Sequence, residues 1–318
     1  MISAGPAPRH SRILGLGEHR PARVMTNDEL PAVLDTDDTW IRQRTGIARR
    51  HLAGDGETVV AMAAAAATKA LADAGVDPGR VGQVVLATCS MPGQVPGGAA
   101  QVAEAIGSRG AGAYDVNAAC AGFCYGLGAA SNAIRTGAAD YVVVAAAERL
   151  SDLVDWTDRS SAILFGDGAG AVVVGPSEQP GIGPLACGSD GSAAGLIGQT
   201  PQGHLALDGP AVFRWATTAL GDAARQVCAA AGVTPDQLAA IVPHQANQRI
   251  VTAIAKQLNA PHAVVADDIV DTANTSAASV PLALARLRRE GRVAAGDLAL
   301  TLAFGAGLTW AGTVVSVP

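Results

Sequence analysis

Cys120 stands in Asp115-Val-Asn-Ala-Ala-Cys-Ala-Gly-Phe123, a run of small residues that leads into a glycine-punctuated, helix-like stretch. Two polar islands lie far downstream, Val242-Pro-His244-Gln-Ala-Asn247 and Ala273-Asn274-Thr-Ser-Ala-Ala-Ser279. A cysteine, a histidine and an asparagine in three small-residue loops are the parts of a thioester-processing site. A thiol attacks a thioester carbonyl as its thiolate, and a helix N-terminus favours that form. Cys120 opens the apolar stretch that runs to Ile134, so an activated thiolate is expected there, with Cys124 one turn on serving as packing. His244 follows a strand and a proline, at a strand end where sites collect. Asn274 precedes a run that would start a helix. Taken singly, each has a plain alternative: a small buried hydrophobe, a satisfied core or surface histidine, a helix cap.

Taken together, the three residues define a task. Cys120 accepts an acyl group as a thioester. His244 and Asn274 donate hydrogen bonds to the carbonyl oxygen of a second thioester and stabilise an enolate as CO2 leaves. The carbanion then attacks the acyl-cysteine, and the turn Phe304-Gly-Ala-Gly307 offers backbone N–H groups to the tetrahedral intermediate. A second glycine run, Phe165-Gly-Asp-Gly-Ala-Gly170, lacks the spacing and the lysine ending of nucleotide loops and reads as a packed turn before a strand.

The elements that must position these loops come in two copies. Ala74-Gly-Val-Asp-Pro78 followed by Val81–Ala87 is echoed by Ala231-Gly-Val-Thr-Pro235 followed by Leu238–Pro243. Each reads as a helix ending at glycine, a proline-bearing turn and a buried strand. Asp115 leads into Ala-Cys-Ala-Gly, and Asp271 into Asn-Thr-Ser-Ala-Ala. Phe165–Val174 is echoed by Phe304–Val315. Three echoes in one order imply a doubled domain with a period of more than one hundred residues, too long for a solenoid. Continuous apolar strands such as Tyr141–Ala145 and Leu298–Leu302 call for mixed α/β sheets covered by helices on both faces. The join is expected near Gly175–Gly181, giving halves 1–178, with the cysteine, and 179–318, with the histidine and asparagine. A pseudo-twofold brings equivalent loops face to face, which is a physical reason for the three to converge.

Composition bounds the rest. The chain has 318 residues, 49% hydrophobic and 16% charged, enough for a large core. Aromatics are only 3% against 38 glycines and abundant alanine, so that core packs closely on small side chains. A net charge of -6 argues against nucleic acid as a partner. Five cysteines without a CxxC indicate neither a disulfide framework nor a metal site, and reduced thiols suit a cytoplasmic location. Met1–Arg12 has no apolar core of a secretory signal, and the longest apolar run, Val59–Ala67, is far short of the ~20 residues that cross a bilayer.

From Thr26-Asn-Asp-Glu-Leu30 to Trp310 the chain resembles β-ketoacyl-acyl carrier protein synthase III of the thiolase-like superfamily. The resemblance rests on Asp38-Thr-Trp-Ile-Arg-Gln-Arg-Thr-Gly-Ile47, Ala118–Phe123, Phe165–Ala171, Pro243-His-Gln-Ala-Asn247 and Asn274-Thr-Ser-Ala-Ala-Ser-Val-Pro281. It implies a thiolase-like five-layered α-β-α-β-α sandwich of two similar halves, usually a homodimer. It implies Cys120 as acyl acceptor, His244 and Asn274 in decarboxylation, Phe304 shielding the cysteine, and backbone N–H groups of Cys120 and Ala306 as the oxyanion hole. Acyl-coenzyme A enters as a substrate rather than a cofactor. Trp40 would stack on its adenine with Arg159 on the other face, Arg44 and Thr36 would meet the nucleotide end, and Asn247 the pantetheine. Arg214, Arg249 and Lys256 match positions that receive the acidic carrier protein.

The chain departs from the family pattern in five places. Pro210 stands where a pantetheine-binding asparagine is usual, the segment 189–209 is shorter, and Ala273 and Ala306 replace glycines. Val95 stands near where straight-chain enzymes carry an aromatic that closes the acyl pocket across the dimer, so a branched or longer starter is expected. The reaction implied is condensation of an acyl-coenzyme A with malonyl-acyl carrier protein, starting a fatty acid or a polyketide. The alternatives are an acyltransferase of similar build that moves its acyl group to a carrier or hydroxyl without decarboxylation, and a non-catalytic subunit of the same fold that binds carrier protein.

Overall fold

The computed structural model describes residues 9–318 except Gln94. The reading of Met1–Arg12 therefore falls largely outside the described residues.

In each half a long helix ends where the sequence places a glycine. The helix Val59–Ala74 starts on Thr58, whose side chain accepts the Ala61 N–H, and stops at Gly75 with φ 63°. Its counterpart Gly209–Ala231 starts on Asp208, which accepts the Ala211 N–H, and stops at Gly232 with φ 66°. Left-handed backbone at a helix C-terminus is the conformation glycine adopts most cheaply. A short 3-10 turn then follows in both copies, Pro78–Arg80 and Pro235–Gln237. The strands begin at Gln83 and Ala240, two residues later than the sequence suggests, because the intervening residues leave the turn first.

Each half builds one five-stranded sheet. The first runs, edge to edge, His10–His19, Gly168–Ser177, Val142–Glu148, Gln83–Ala87 and Gly112–Val116. The second runs Ala186–Ser189, Thr309–Ser316, Leu298–Gly305, Ala240–Pro243 and Val264–Val265. Numbered in chain order within its half, each sheet has the spatial order first, fifth, fourth, second, third. The pairing is antiparallel, antiparallel, parallel, parallel in both. One permutation with one polarity pattern, used twice, is the duplication in three dimensions. The last strand of the first sheet ends at Ser177 and the second sheet opens at Ala186; we propose the link after residue 178 as the seam.

Helices Gly122–Thr136 and Ser279–Arg289 each touch strands of both sheets. They form the middle layer, and their residues are largely buried. Val59–Ala74 covers the outer face of the first sheet, and Gly209–Ala231 with Gln248–Leu258 that of the second. The result is the five-layered α-β-α-β-α sandwich, and strand Val142–Glu148 is buried along its whole length. Small residues allow the tight layering. A Cβ on Gly17 would lie 2.0 Å from the Ala66 carbonyl oxygen, so helix Val59–Ala74 lies backbone against backbone on its strand.

Candidate active site

The equivalent elbows of the two halves meet between the sheets. Strand Gly112–Val116 runs into a 3-10 turn, Ala119–Ala121, and the buried helix starts at Gly122. Ala119 has φ 45°, so Cys120 sits on a strained elbow just ahead of the helix rather than opening it. In the other half Ser276, at φ 48°, opens the corresponding turn Ser276–Ala278. The positive-φ residues Ala119 and Ser276 open the two turns in the same way, so Cys120 corresponds to Ala277, and counting from Asp115 and Asp271 is one residue out of step with the structure.

Cys120, His244, Asn274 and Phe304 line one cavity of ≈ 120 Å³, with Phe165, Phe213 and Leu207 among its apolar walls. A larger cleft of ≈ 650 Å³ between Arg12 and Val317 contains none of the three polar residues. His244 follows the buried strand Ala240–Pro243 and is 2% exposed. Its Nδ1 lies 2.7 Å from the Ser279 hydroxyl, which also accepts the Gln245 N–H. Nδ1 is the one acceptor for the Ser279 hydroxyl proton among the described residues, and donation to it places the ring proton on Nε2. Burial pulls His244 down to about 3, so the ring is neutral. Asn274 Oδ1 accepts the Ser276 N–H at 2.8 Å. This contact fixes the carboxamide and leaves its NH2 as the donor toward the cavity. Phe304 stands edge-on to the His244 ring at 5.5 Å and packs on Trp215.

The turn after Phe304 presses on Cys120. A Cβ on Gly305 would lie 2.7 Å from the Cys120 nitrogen, so the two backbones are in direct contact. Ala306 avoids positive φ, and its methyl costs no backbone strain. Ala273 is different. It holds φ 57° while fully buried, a conformation costing about 1–3 kcal/mol outside glycine. Ala273→Gly is expected to raise stability by about 1 kcal/mol net of glycine's entropy, read as a higher urea midpoint.

The expected low-pKa thiolate is not the resting state. Burial, reinforced by the charge of Glu148, pushes Cys120 up to about 12, while the Ser276 hydroxyl and the cysteine's own N–H act the other way. The helix N-terminus is in place, but desolvation of the sulfur outweighs it. Cys124 is fully buried packing.

A mouth of ≈ 630 Å³ adjoins the chamber, the two sharing Leu164, Leu207, Gly209, Phe213 and Asn247 as walls. Helix Asp38–Thr45 places Trp40 and Arg44 one turn apart on the mouth. The Arg159 guanidinium already covers Trp40 at 5.1 Å and that of Arg44 lies at 5.4 Å. A planar guest between Trp40 and Arg159 needs roughly twice a ~3.5 Å contact distance, so Arg159 must swing outward to admit one. Asn247 caps helix Gln248–Leu258 and donates to the Arg44 carbonyl at 3.0 Å. Pro210 occupies the first turn of its helix, where no N–H is needed, and lines the mouth. Arg214 and Arg249 also border the mouth, Arg249 stacking on Phe213 at 4.6 Å.

Three of the site residues expected from sequence stand apart. Thr36 is not a mouth residue, and its buried hydroxyl has no partner among the described residues. Lys256 lies in the last turn of its helix, away from the mouth. Val95 is 90% exposed and outside the chamber of its own chain. The segment 189–209 contains a 3-10 turn and a two-stranded hairpin, Ile197–Gln199 with Leu205–Leu207, that supplies Ile197 and Leu207 to the chamber. In the run Phe165–Gly170, Phe165–Asp167 form a packed turn and the strand starts at Gly168, with Asp167 accepting the N–H groups of Ala53 and Ser151. Sequence reasoning missed Ser279, Ser276 and Glu148; the first two lie within the polar island Ala273–Ser279, which was the available signal for them.

Among the described residues no group of three or more His, Cys, Asp or Glu could hold a metal ion, and no helix is long and apolar enough to cross a membrane. Residues 114–191 match the family model for 3-oxoacyl-[acyl-carrier-protein] synthase III, and residues 228–317 match that for its C-terminal part. The chain is 48% identical to β-ketoacyl-[acyl-carrier-protein] synthase III 1 of Streptomyces coelicolor, over 97% of both chains. Its fold superposes with a TM-score of 0.95 on a priming β-ketosynthase from a polyketide biosynthetic pathway, at 44% identity and 98% coverage of each. The synthase III of Aquifex aeolicus follows with a TM-score of 0.93 and 40% identity, covering 96% of this chain and 99% of that one.

Proposed function

The chain belongs to the β-ketoacyl-acyl carrier protein synthase III family, and on that premise we propose a division of labour within its condensation reaction. Cys120 takes an acyl group from acyl-coenzyme A. Malonyl-acyl carrier protein then delivers its thioester into the same chamber, where the His244 Nε2–H and the Asn274 NH2 bind the carbonyl oxygen. Both donors are neutral and fixed from behind, so they stabilise the enolate as CO2 departs without reorganising. The carbanion attacks the acyl-cysteine, and the Cys120 and Ala306 N–H groups hold the resulting oxyanion. The observation that carries this reading is the convergence of Cys120, His244 and Asn274 on one chamber with both donors anchored on their far sides.

The neutral ring has a pH signature. A histidine held near 3 stays unprotonated throughout the working range, so CO2 release is expected to show no histidine limb between about pH 5 and 8. A limb centred on histidine's ordinary value would contradict it.

Trp40, Arg44, Arg159 and Asn247 form the coenzyme A entrance in this reading, Thr36 serving only if the nucleotide end reaches past the mouth. Arg214 and Arg249 form the near part of the carrier-protein surface and Lys256 its far edge. Among the described residues the outer edge of strand Gly112–Val116 is unpaired; Tyr114 on it is exposed, and so is Val95, three residues before the Gly98 N–H that Asp115 accepts. An open edge of that kind fits a homodimer in which Val95 reaches the partner's acyl chamber, with room for a branched or longer starter. Similarity to a priming ketosynthase favours a polyketide starter role. Intact-protein mass after incubation with a panel of acyl-coenzyme A donors tests the reading: a mass gain on Cys120 supports it, and none with any donor refutes it.

A further inference from the structure

Between the two donors lies a buried carboxamide with no place in the reaction described so far. Gln245 follows His244 directly, is fully buried and does not line the chamber. Its Nε2 donates to the Pro243 carbonyl at 2.7 Å, and its Oε1 accepts the Ile269 N–H at 3.1 Å. A backbone N–H donates and a carbonyl accepts, so the two partners fix which end of the carboxamide is which. Ile269 opens the short helix Ile269–Thr272, whose first N–H groups have no partner inside the helix. Asp268 holds the cap position but does not cap: its buried carboxylate faces Arg20 at 3.1 Å and Arg286 at 3.2 Å. Gln245 supplies the missing acceptor from a distant segment.

The two ends of this brace lead to the two donors. On one side Pro243 precedes His244. On the other the Ile269 carbonyl accepts the Ala273 N–H at 3.0 Å, and Asn274 comes next in the chain. Ser279, beyond Asn274, holds the His244 ring at Nδ1 and accepts the Gln245 N–H. The His244 segment is therefore tied to the chain on both sides of Asn274, before it by the Gln245 side chain and after it by Ser279.

We infer that Gln245 is a positioning residue that sets the spacing between the His244 Nε2–H and the Asn274 NH2. This rests on the two donors sharing one enolate oxygen during decarboxylation. A substrate can shift to follow one displaced donor, but it cannot follow two that have moved apart. Acyl loading on Cys120 uses neither donor and should not sense the spacing.

Gln245→Met keeps the length of the side chain and loses both hydrogen bonds. The enzyme is first acylated with whichever of acetyl-, isobutyryl- and octanoyl-coenzyme A loads the wild type fastest. Single-turnover CO2 release is then followed at rising concentrations of labelled malonyl-acyl carrier protein, with thermal unfolding as a fold control. The saturating rate is expected to fall about 10- to 10²-fold, the loss that a misplaced group brings. Half-saturation and the rate of acyl loading should each change by less than about twofold, since neither depends on a contact made only as CO2 leaves. In the Asn274→Ala background the same substitution should cost less than about threefold, because one remaining donor has no spacing to keep. Should the Met variant fail the fold control, Gln245→Asn, one methylene too short to serve both partners, carries the same measurements. CO2 release at the wild-type rate overturns the inference. So does an equal loss of loading and CO2 release, or a double variant that loses the full product of the two single losses, either of which marks general loosening. A wild type that loads but releases no CO2, or an Asn274→Ala variant that releases it at the wild-type rate, fails the decarboxylation reading itself and removes this inference with it.

Discussion

Asn274→Ala and His244→Ala should each still form the acyl-enzyme on Cys120, while CO2 release from malonyl-acyl carrier protein falls by about 10²- to 10³-fold. The expectation follows from where each side chain is tied. Asn274 is held through its Oδ1 by the Ser276 N–H and His244 through its Nδ1 by Ser279, so each offers its remaining donor to the chamber. Neither is placed to take the thiol proton, the histidine because its Nε2 already carries one. Truncating either removes one of two fixed donors from an enolate oxygen in a water-poor site. The pair acts on one oxygen, so the double variant should lose much less than the product of the two single losses. Parallel measurement of labelled CO2 and intact mass separates the two half-reactions.

Cys120→Ala should abolish acyl loading altogether, with no mass gain from any acyl-coenzyme A. Cys124 cannot substitute, being sealed in the helix core, and Cys89 is raised well above the usual thiol range by burial and the charge of Glu148. The same variant should still release CO2 from malonyl thioester, because both donors to the enolate remain. Its carbanion is then quenched by a proton to give an acetyl thioester. Loading that persists at another cysteine would displace Cys120 from its role.

The elements legible in the sequence are those with local causes. Gly75 and Gly232 announce left-handed helix ends, and the prolines after them announce the turns, so the repeat unit and the strand that follows each turn could be placed to within about two residues. The duplication then gave a reason for Cys120 to meet the two downstream islands. Features that depend on packing between distant segments were not legible. The thiol's protonation state is set by burial between two sheets and by Glu148, 28 residues further on, and the helix-end rule sees neither. The contribution of Ser279 depends on which ring nitrogen of His244 it meets. Trp40 and Arg44 share the mouth because one helix carries both, whereas Thr36, outside that helix, turns its hydroxyl inward. Lys256 shares a helix with Arg249 but lies in its last turn, and a basic residue in sequence does not say which end of a helix faces the mouth.

The central claim is that one buried chamber joins a nucleophile from the first half to two separate donors from the second. A single-turnover chase tests it most directly: acylate wild type and Asn274→Ala, remove coenzyme A, add labelled malonyl-acyl carrier protein, and follow protein mass and CO2 together. The account predicts that the wild type sheds its acyl group as CO2 appears, while the variant remains acylated and silent. A variant that never acquires the acyl group, or that acquires it and condenses at the wild-type rate, would contradict it.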